Sequence, residues 1–223
     1  MAQQRSVFDI IGPVMIGPSS SHTAGAVRLG ELARAIFGGQ PVTADIVLHG
    51  SFASTGTGHG TDLALVAGLL GMAPDDPRIP DAFAEAAEAG LAVAFTTDDL
   101  GEVHPNTARL VLHASDGREM LVQGCSVGGG DVVVTRIGEF EVAVSGDLPV
   151  LVVVHHDQPG VIAGVTAVLA AEGVNVASMD VSRERRGASA LMIIETDNPV
   201  AESSLDELRK VAGVTGVRTV PAV

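Results

Sequence analysis

Gly17-Pro18-Ser19-Ser20-Ser21-His22-Thr23 places hydroxyls on both sides of an imidazole, immediately ahead of a helical pattern running from Ala24 to Phe37. A helix N-terminus presents unpaired backbone N–H groups and the positive end of the peptide dipole, so it suits an anion. Ser19, Ser20, Ser21 and Thr23 add side-chain donors around that spot. His22 is a side chain that exchanges a proton near neutral pH. A carboxylate cradle and a proton-transfer group therefore share one short segment. The same residues would also make an ordinary Ser/Thr N-cap beside an exposed histidine.

Two further segments carry related chemistry. The stretch from His49 to Asp62 follows an alternating strand (Val42, Ala44, Ile46, Leu48) and precedes the apolar run Leu63 to Leu70. Its glycines (Gly50, Gly56, Gly58, Gly60) and its hydroxyls (Ser51, Ser54, Thr55, Thr57, Thr61) read as a strand-to-helix loop open to a small ligand. His59, flanked by Gly58 and Gly60, either lines that loop's site or lies on its surface. Val103-His104-Pro105-Asn106-Thr107 fixes an imidazole and an amide on a third turn.

The elements that must position these segments form a mixed pattern. Before Ser145-Gly146-Asp147-Leu148-Pro149, helices are expected at Ala24–Phe37, Thr61–Gly71 and Asp81–Ala89. Strands are expected at Ala44–His49, Leu91–Thr96, Ala108–His113, Glu119–Gln123, Asp131–Ile137 and Glu141–Val144. Asp116-Gly117 is a hairpin signal. After the break, the strand Val150–His155 is followed by a helix with Val161, Val165, Val168 and Leu169 on one face. Strands at Val174–Glu184 and Ala188–Thr196 come next, then a helix opened by a Ser204–Glu207 capping box and a last strand at Thr215–Val220. The order is βαββαβ, a split βαβ sandwich. The fold class is α+β, with domains expected at 1–147 and 148–223.

Composition narrows the function. The chain has 223 residues, 46% of them apolar, and a net charge of −14 from 27 acidic and 13 basic residues. Such a balance argues against nucleic acid or an anionic membrane as partner. MAQQRSVFDII lacks the apolar core of a signal peptide, and Leu63 to Ala73 is too short to cross a bilayer. Cys125 is the one cysteine, so the chain can build neither a four-thiolate cluster site nor an internal disulfide, which fits a reducing cytoplasm. No HExxH or HxH spacing is present, and His155-His156 face opposite sides of a strand. No metal site is expected on this chain.

IGPSSSHTAGAVRLG, HGSFASTGTGHGTDLAL, HPNTARL and CSVGGGDV, in that order, closely resemble the β-chain of the two-chain, iron–sulfur-dependent bacterial L-serine dehydratases. The resemblance implies deamination of L-serine to pyruvate and ammonia. It also implies a cysteine-bearing α-chain as partner, holding a [4Fe–4S] cluster that acts as Lewis acid on the serine hydroxyl. HHDQPGVIAGVTAVLAAEGVNVASMDVSRERRG resembles an ACT domain. That likeness implies an amino-acid effector site at Asp157, Gly160 and Asn175 and self-association through this domain; helix and turn capping is the plainer role for Asp157 and Asn175.

The implied reaction requires a base for the Cα proton, a Lewis acid for the hydroxide and donors for the carboxylate. On that reading Ser19, Ser20, Ser21 and Thr23 grip the carboxylate, with Asn106 among the substrate-binding residues. His22 is the base or lies directly beside it, and His59 or His104 positions. A free-standing amino-acid sensor without catalysis is the alternative, since the first domain also resembles a small-molecule-binding domain of some phosphoglycerate dehydrogenases. A Ser/His hydrolase is disfavoured by the lack of a GxSxG elbow.

Overall fold

A computed structural model describes residues 14–223, apart from the side chain of Thr57. It divides into two compact units, one ending at Thr135 and the other beginning at Arg136.

In the first unit, a π-helical turn at Ser20–Ala24 leads directly into α1, Gly25–Phe37. Helix α1 buries Val27, Leu29, Leu32, Ala33, Ile36 and Phe37 and ends on Gly38 in the left-handed region, whose N–H returns to Arg34 O. Strand β1 (Thr43–Leu48) is followed by α2 (Gly50–His59) and α3 (Thr61–Leu69). A 3₁₀ turn at Ile79–Asp81 opens into α4 (Ala82–Glu88). Then come β2 (Ala92–Thr97), β3 (Thr107–His113), β4 (Glu119–Gly128) and β5 (Asp131–Ile137), the last running across the boundary at Thr135. The hydrogen-bonded order is β2-β1-β3-β4-β5.

Register brings the chemistry to one end of this sheet. Leu48, at the end of β1, pairs with Ala108 near the start of β3, and Thr107 pairs with Cys125 in the last turn of β4's ladder. Strand β2 is parallel to β1, so Thr97 finishes beside Leu48. The β3–β4 hairpin turns at Asp116-Gly117, with Gly117 at φ +85° and Asp116 Oδ1 accepting from Arg118 N at 2.9 Å.

The segment 49–62 departs from its expected loop. Gly50 to His59 is helical, with Gly50 at φ +56° turning the chain out of β1 and Gly60 at φ +67° separating α2 from α3. The glycines within α2 lower its propensity without breaking it. A polar helix of this kind is held by its neighbours more than by its own preference.

Helices α1 and α3 cross at glycines. A Cβ on Gly68 would sit 2.0 Å from Val27 O, and one on Gly30 would sit 2.5 Å from Leu65 O. Both obstacles are backbone, so neither yields to a side-chain rotation.

The second unit holds β6 (Phe140–Val144), expected with the first domain, and the βαββαβ run β7 (Val150–His156), α5 (Val161–Ala171), β8 (Val176–Arg183), β9 (Ser189–Thr196), α6 (Glu202–Arg209) and β10 (Val214–Val220). The sheet order is β10-β7-β9-β8, the order of a ferredoxin-like sandwich. Leu151 and Val153 meet Val161, Val165, Leu169, Met192, Ile194, Leu205 and Leu208 in its core. The Ser204 capping box does not form. Helix α6 begins at Glu202, so Ser204 lies inside it, buried, with its hydroxyl unpartnered. Packing of Val200, Leu205 and Leu208 in the core sets this start, not a side-chain cap.

The glycine crossing gives a direct test. Ala favours a helix over Gly by about 1 kcal/mol, yet Gly68→Ala is expected to destabilise the first unit by about 1–3 kcal/mol in chemical denaturation, because overpacking outweighs propensity. A neutral or stabilising effect would mean that α1 and α3 do not cross this closely.

Candidate active site

His22 lies at the centre of the polar cluster. It is only 8% exposed, on the π-helical turn that Ser19 caps. Ser19 Oγ accepts from His22 N at 3.2 Å and Ser19 O accepts from Thr23 N at 2.8 Å. Two of the amides expected to greet an anion are therefore engaged by Ser19, leaving those of Ser20 and Ser21 at the open end of the turn. Thr23 is buried, and its hydroxyl donates to His59 O at 3.4 Å. It braces the site rather than facing a ligand.

Helix α2 supplies the other side. Ser51, Thr55 and His59 recur at four-residue intervals and so form one stripe along it. Ser51 Oγ lies 3.1 Å and Thr55 Oγ1 3.0 Å from His22 Nε2, while Ser21 Oγ lies 3.2 Å from Nδ1. The His59 ring stands 5.0 Å from the His22 ring, centroid to centroid. Phe52, fully buried, meets His22 edge-on at 5.2 Å.

The third segment reaches this pair through backbone. Pro105 O accepts from Ser51 N at 2.8 Å, and a Cβ on Gly50 would sit 2.6 Å from that same oxygen. His104 is exposed; its Nδ1 accepts from Asn106 N at 3.1 Å, which leaves the proton on Nε2. Asn106 Nδ2 donates to Ser126 O at 3.4 Å. His49 likewise accepts at Nδ1, from Leu100 N at 3.1 Å.

His59 has the opposite protonation pattern. Its Nδ1 faces Thr55 O at 3.1 Å, and a carbonyl only accepts, so Nδ1 carries the proton and Nε2 the lone pair. Burial first, and then the neighbouring His59, hold His22 below the ordinary histidine value, against a smaller opposite pull from hydrogen bonding at Ser51. Both lowering causes favour the uncharged imidazole.

Of the expected residues, Ser19, Ser21, His22, Thr23 and His59 are thus brought together, while His104 and Asn106 are joined to them through Pro105 and Ser51. Ser51 and Thr55 emerge as contacts of His22 that reading 49–62 as a loop concealed. Their spacing from His59 is the signal that a helical reading would have used. Among the described residues, no group of His, Cys, Asp or Glu is arranged to hold a metal ion. Cys125 is buried in β4, and burial pushes its thiol up, away from the thiolate a cluster requires.

The second unit separates the expected effector residues. Asp157 does not cap α5; its Oδ2 accepts from Gly187 N at 2.9 Å and Arg183 Nη1 at 3.1 Å, which hold its carboxyl below the usual range. Gly160 precedes α5 at φ +95°. Asn175 Nδ2 donates to Asp197 Oδ2 at 2.7 Å, at the end of the sheet where Thr196 N meets Pro149 O. Asp157 and Asn175 therefore lie at opposite ends of a sheet roughly 20 Å long.

His22 should titrate below an ordinary histidine, and between its folded and unfolded values the unfolded chain binds more protons, so stability should fall as pH drops through that window. His59→Ala removes the neighbouring imidazole that opposes charge on His22, while the burial of His22 against Phe52 remains as a cause. An NMR titration should show the His22 midpoint rising but remaining below the ordinary value; an unmoved midpoint would show that the rings are not electrostatically coupled.

Comparison with known proteins agrees with this architecture. The family described as "Serine dehydratase beta chain" matches residues 6–90, and the ACT domain family matches residues 149–213. The chain is 47% identical to the probable L-serine dehydratase, beta chain, of Bacillus subtilis, over 96% of both chains. It is 39% identical to the L-serine dehydratase, beta chain, of Peptoniphilus asaccharolyticus, over 89% of this chain and 90% of that one. A D-3-phosphoglycerate dehydrogenase of Synechocystis shows 29% identity over 87% of this chain but only 35% of its own. No helix among the described residues is long and apolar enough to cross a membrane. With likeness running nearly end to end in the two beta chains, and an ACT domain as its ferredoxin-like unit, this chain belongs to the family of L-serine dehydratase beta chains.

Proposed function

We propose that this chain holds L-serine and moves its Cα proton, as the β-subunit of a lyase that makes pyruvate and ammonia. The observation that carries this reading is the His22–His59 pair, two facing imidazoles clamped between the Ser19–Thr23 turn and helix α2. The pair has a directed protonation pattern. With Nδ1–H donating to Thr55 O, His59 offers Nε2 as a base for the Cα proton. On taking the proton His59 becomes cationic, and two adjacent imidazoles resist being charged together. A neutral His22 is thus the condition under which His59 accepts a proton readily. The sequence alone left His22 as the base or directly beside it; its burial and its engaged ring nitrogens favour His59 as the base and His22 as its neighbour.

The substrate carboxylate would be met by hydroxyls of Ser19, Ser20, Ser21 and Ser51 and the open amides at Ser20 and Ser21, with His104 and Asn106 bordering from the third segment. Loss of the Cα proton and of hydroxide yields an enamine, which tautomerises to an imine and hydrolyses to pyruvate and ammonia. Departure of hydroxide requires an acid. The residues of this chain do not fit a [4Fe–4S] cluster, having one buried, protonated cysteine. The cluster is accordingly proposed for a cysteine-bearing α-chain in a reducing cytoplasm, and no step on this chain depends on its geometry.

The ACT domain is proposed to self-associate. Met179 and Val181 on edge strand β8 and Ile162 on α5 are exposed apolar residues suited to a second copy. An effector held by both Asp157 and Asn175 would have to draw them from different copies.

His59→Asn in the complex reconstituted with the α-chain should lower turnover by roughly 10²–10⁴-fold while serine still binds. Full turnover by that variant would overturn the base assignment, and pyruvate formation by this chain alone would overturn the two-chain reading.

A further inference from the structure

We propose that Thr55 is a positioning residue that sets the protonation pattern of both imidazoles, an inference resting on the assignment of proton chemistry to His22 and His59. Among the described residues, Thr55 is the one hydrogen-bonded to both rings. Its carbonyl accepts from His59 Nδ1 at 3.1 Å, and its hydroxyl oxygen lies 3.0 Å from His22 Nε2.

The direction of these bonds follows from counting protons. Thr55 Oγ1 lies 2.9 Å from Ser51 O, one turn back on α2, in the bond a helical threonine commonly makes. A carbonyl has no proton to give, so the single proton of Thr55 points at Ser51 O. Toward His22 the threonine oxygen can therefore only accept. Nε2 must carry the proton, and Nδ1 becomes the acceptor for Ser21 O–H at 3.2 Å.

Ser51 Oγ, 3.1 Å from the same Nε2, cannot make this choice. Among the described residues Ser51 Oγ has no other hydrogen-bond partner, so its hydroxyl can donate to the ring or accept from it. Once Thr55 has set Nε2–H, the Ser51 proton is free to turn toward a bound carboxylate. The backbone of α2 thus orients His59 by one carbonyl and His22 by another, acting through the Thr55 hydroxyl. The order of bonds runs one way, from Ser21 O–H to His22 Nδ1, from Nε2–H to Thr55 Oγ1, and from Thr55 O–H to Ser51 O.

The test is two-bond ¹H–¹⁵N spectroscopy of the full-length, ¹⁵N-labelled chain at a pH where its imidazoles are neutral, combined with pyruvate formation by the reconstituted complex. In the wild-type chain His22 should show a single Nε2–H pattern and His59 a single Nδ1–H pattern. Thr55→Val should add the Nδ1–H form of His22 and leave His59 unchanged, because the partner of His59 is a backbone carbonyl. Thr55→Ala, favoured in a helix, should do the same and replaces the valine variant if that one disturbs α2. Either variant should lower kcat/KM by about tenfold, a part of the ~10²–10⁴-fold typical of a positioned acid or base, while Thr55→Ser restores the pattern and comes within about threefold of wild type. A His22 that keeps its pure Nε2–H pattern without the Thr55 hydroxyl would overturn the proposal. Mixed protonation of His22 with undiminished pyruvate formation would instead overturn the reading that places His22 in the reaction.

Discussion

The approach of Gly50 to Pro105 is the constraint on which the site depends. At φ +56° and with no space for a Cβ, Gly50 turns the chain from β1 into α2 while its neighbour Ser51 donates its amide to Pro105 O. That bond ties the turn at 104–107 to the helix that carries Ser51, Thr55 and His59. A larger residue at Gly50 would meet backbone on one side and an unfavourable dihedral on the other. Moved by even an ångström, α2 would no longer place two hydroxyls on His22 Nε2. The substrate-sized chemistry of the site thus rests on a backbone contact outside it.

A second constraint acts through solvation. His22 sits where burial and a neighbouring imidazole both disfavour its charged form. The cluster nevertheless satisfies both ring nitrogens with hydroxyls, which are neutral and can serve as donor or acceptor. Among the described residues, no carboxylate is hydrogen-bonded to the His22 ring. A carboxylate there would raise its pKa and favour the imidazolium, which would repel a proton from His59. A set of serines and threonines keeps the pair polar, hydrogen-bonded and uncharged.

The second unit follows a different logic. Its core is closed by aliphatic residues from β7, β9, α5 and α6, and its polar side chains at the two ends of the sheet bond to one another. Asp157 supports the Arg183–Gly187 turn, and Asn175 pairs with Asp197. One copy consequently presents no joint pocket made of these residues. Apolar side chains on β8 and α5 remain exposed, on the strand that ends the sheet and on a helix with almost no polar residue.

Much of this was legible in the residues themselves. Alternation of apolar residues marked β1, a continuous apolar run marked β7, the Asp116-Gly117 turn marked a hairpin, and Val161, Val165 and Leu169 marked the buried face of α5, because side-chain type records the face each residue presents. The Ser19–Thr23, His59 and His104–Asn106 segments were legible as chemistry because hydroxyls, imidazoles and glycines are rarely gathered so densely without a ligand or a tight turn. The helical state of 50–59 was not legible. Four glycines and five hydroxyls within 49–62 argue for a loop, and only packing against the rest of the unit overrides that preference. The Ser204 cap failed for a related reason, since core packing of α6 outweighed a local motif. By itself the sequence determined which residue types were available and in which segments. Structure decided which ring nitrogen carries each proton, because that depends on whether the nearest oxygen is a carbonyl or a hydroxyl: for His59 a carbonyl one turn back on a helix that packing imposes, and for His22 hydroxyls some thirty positions away.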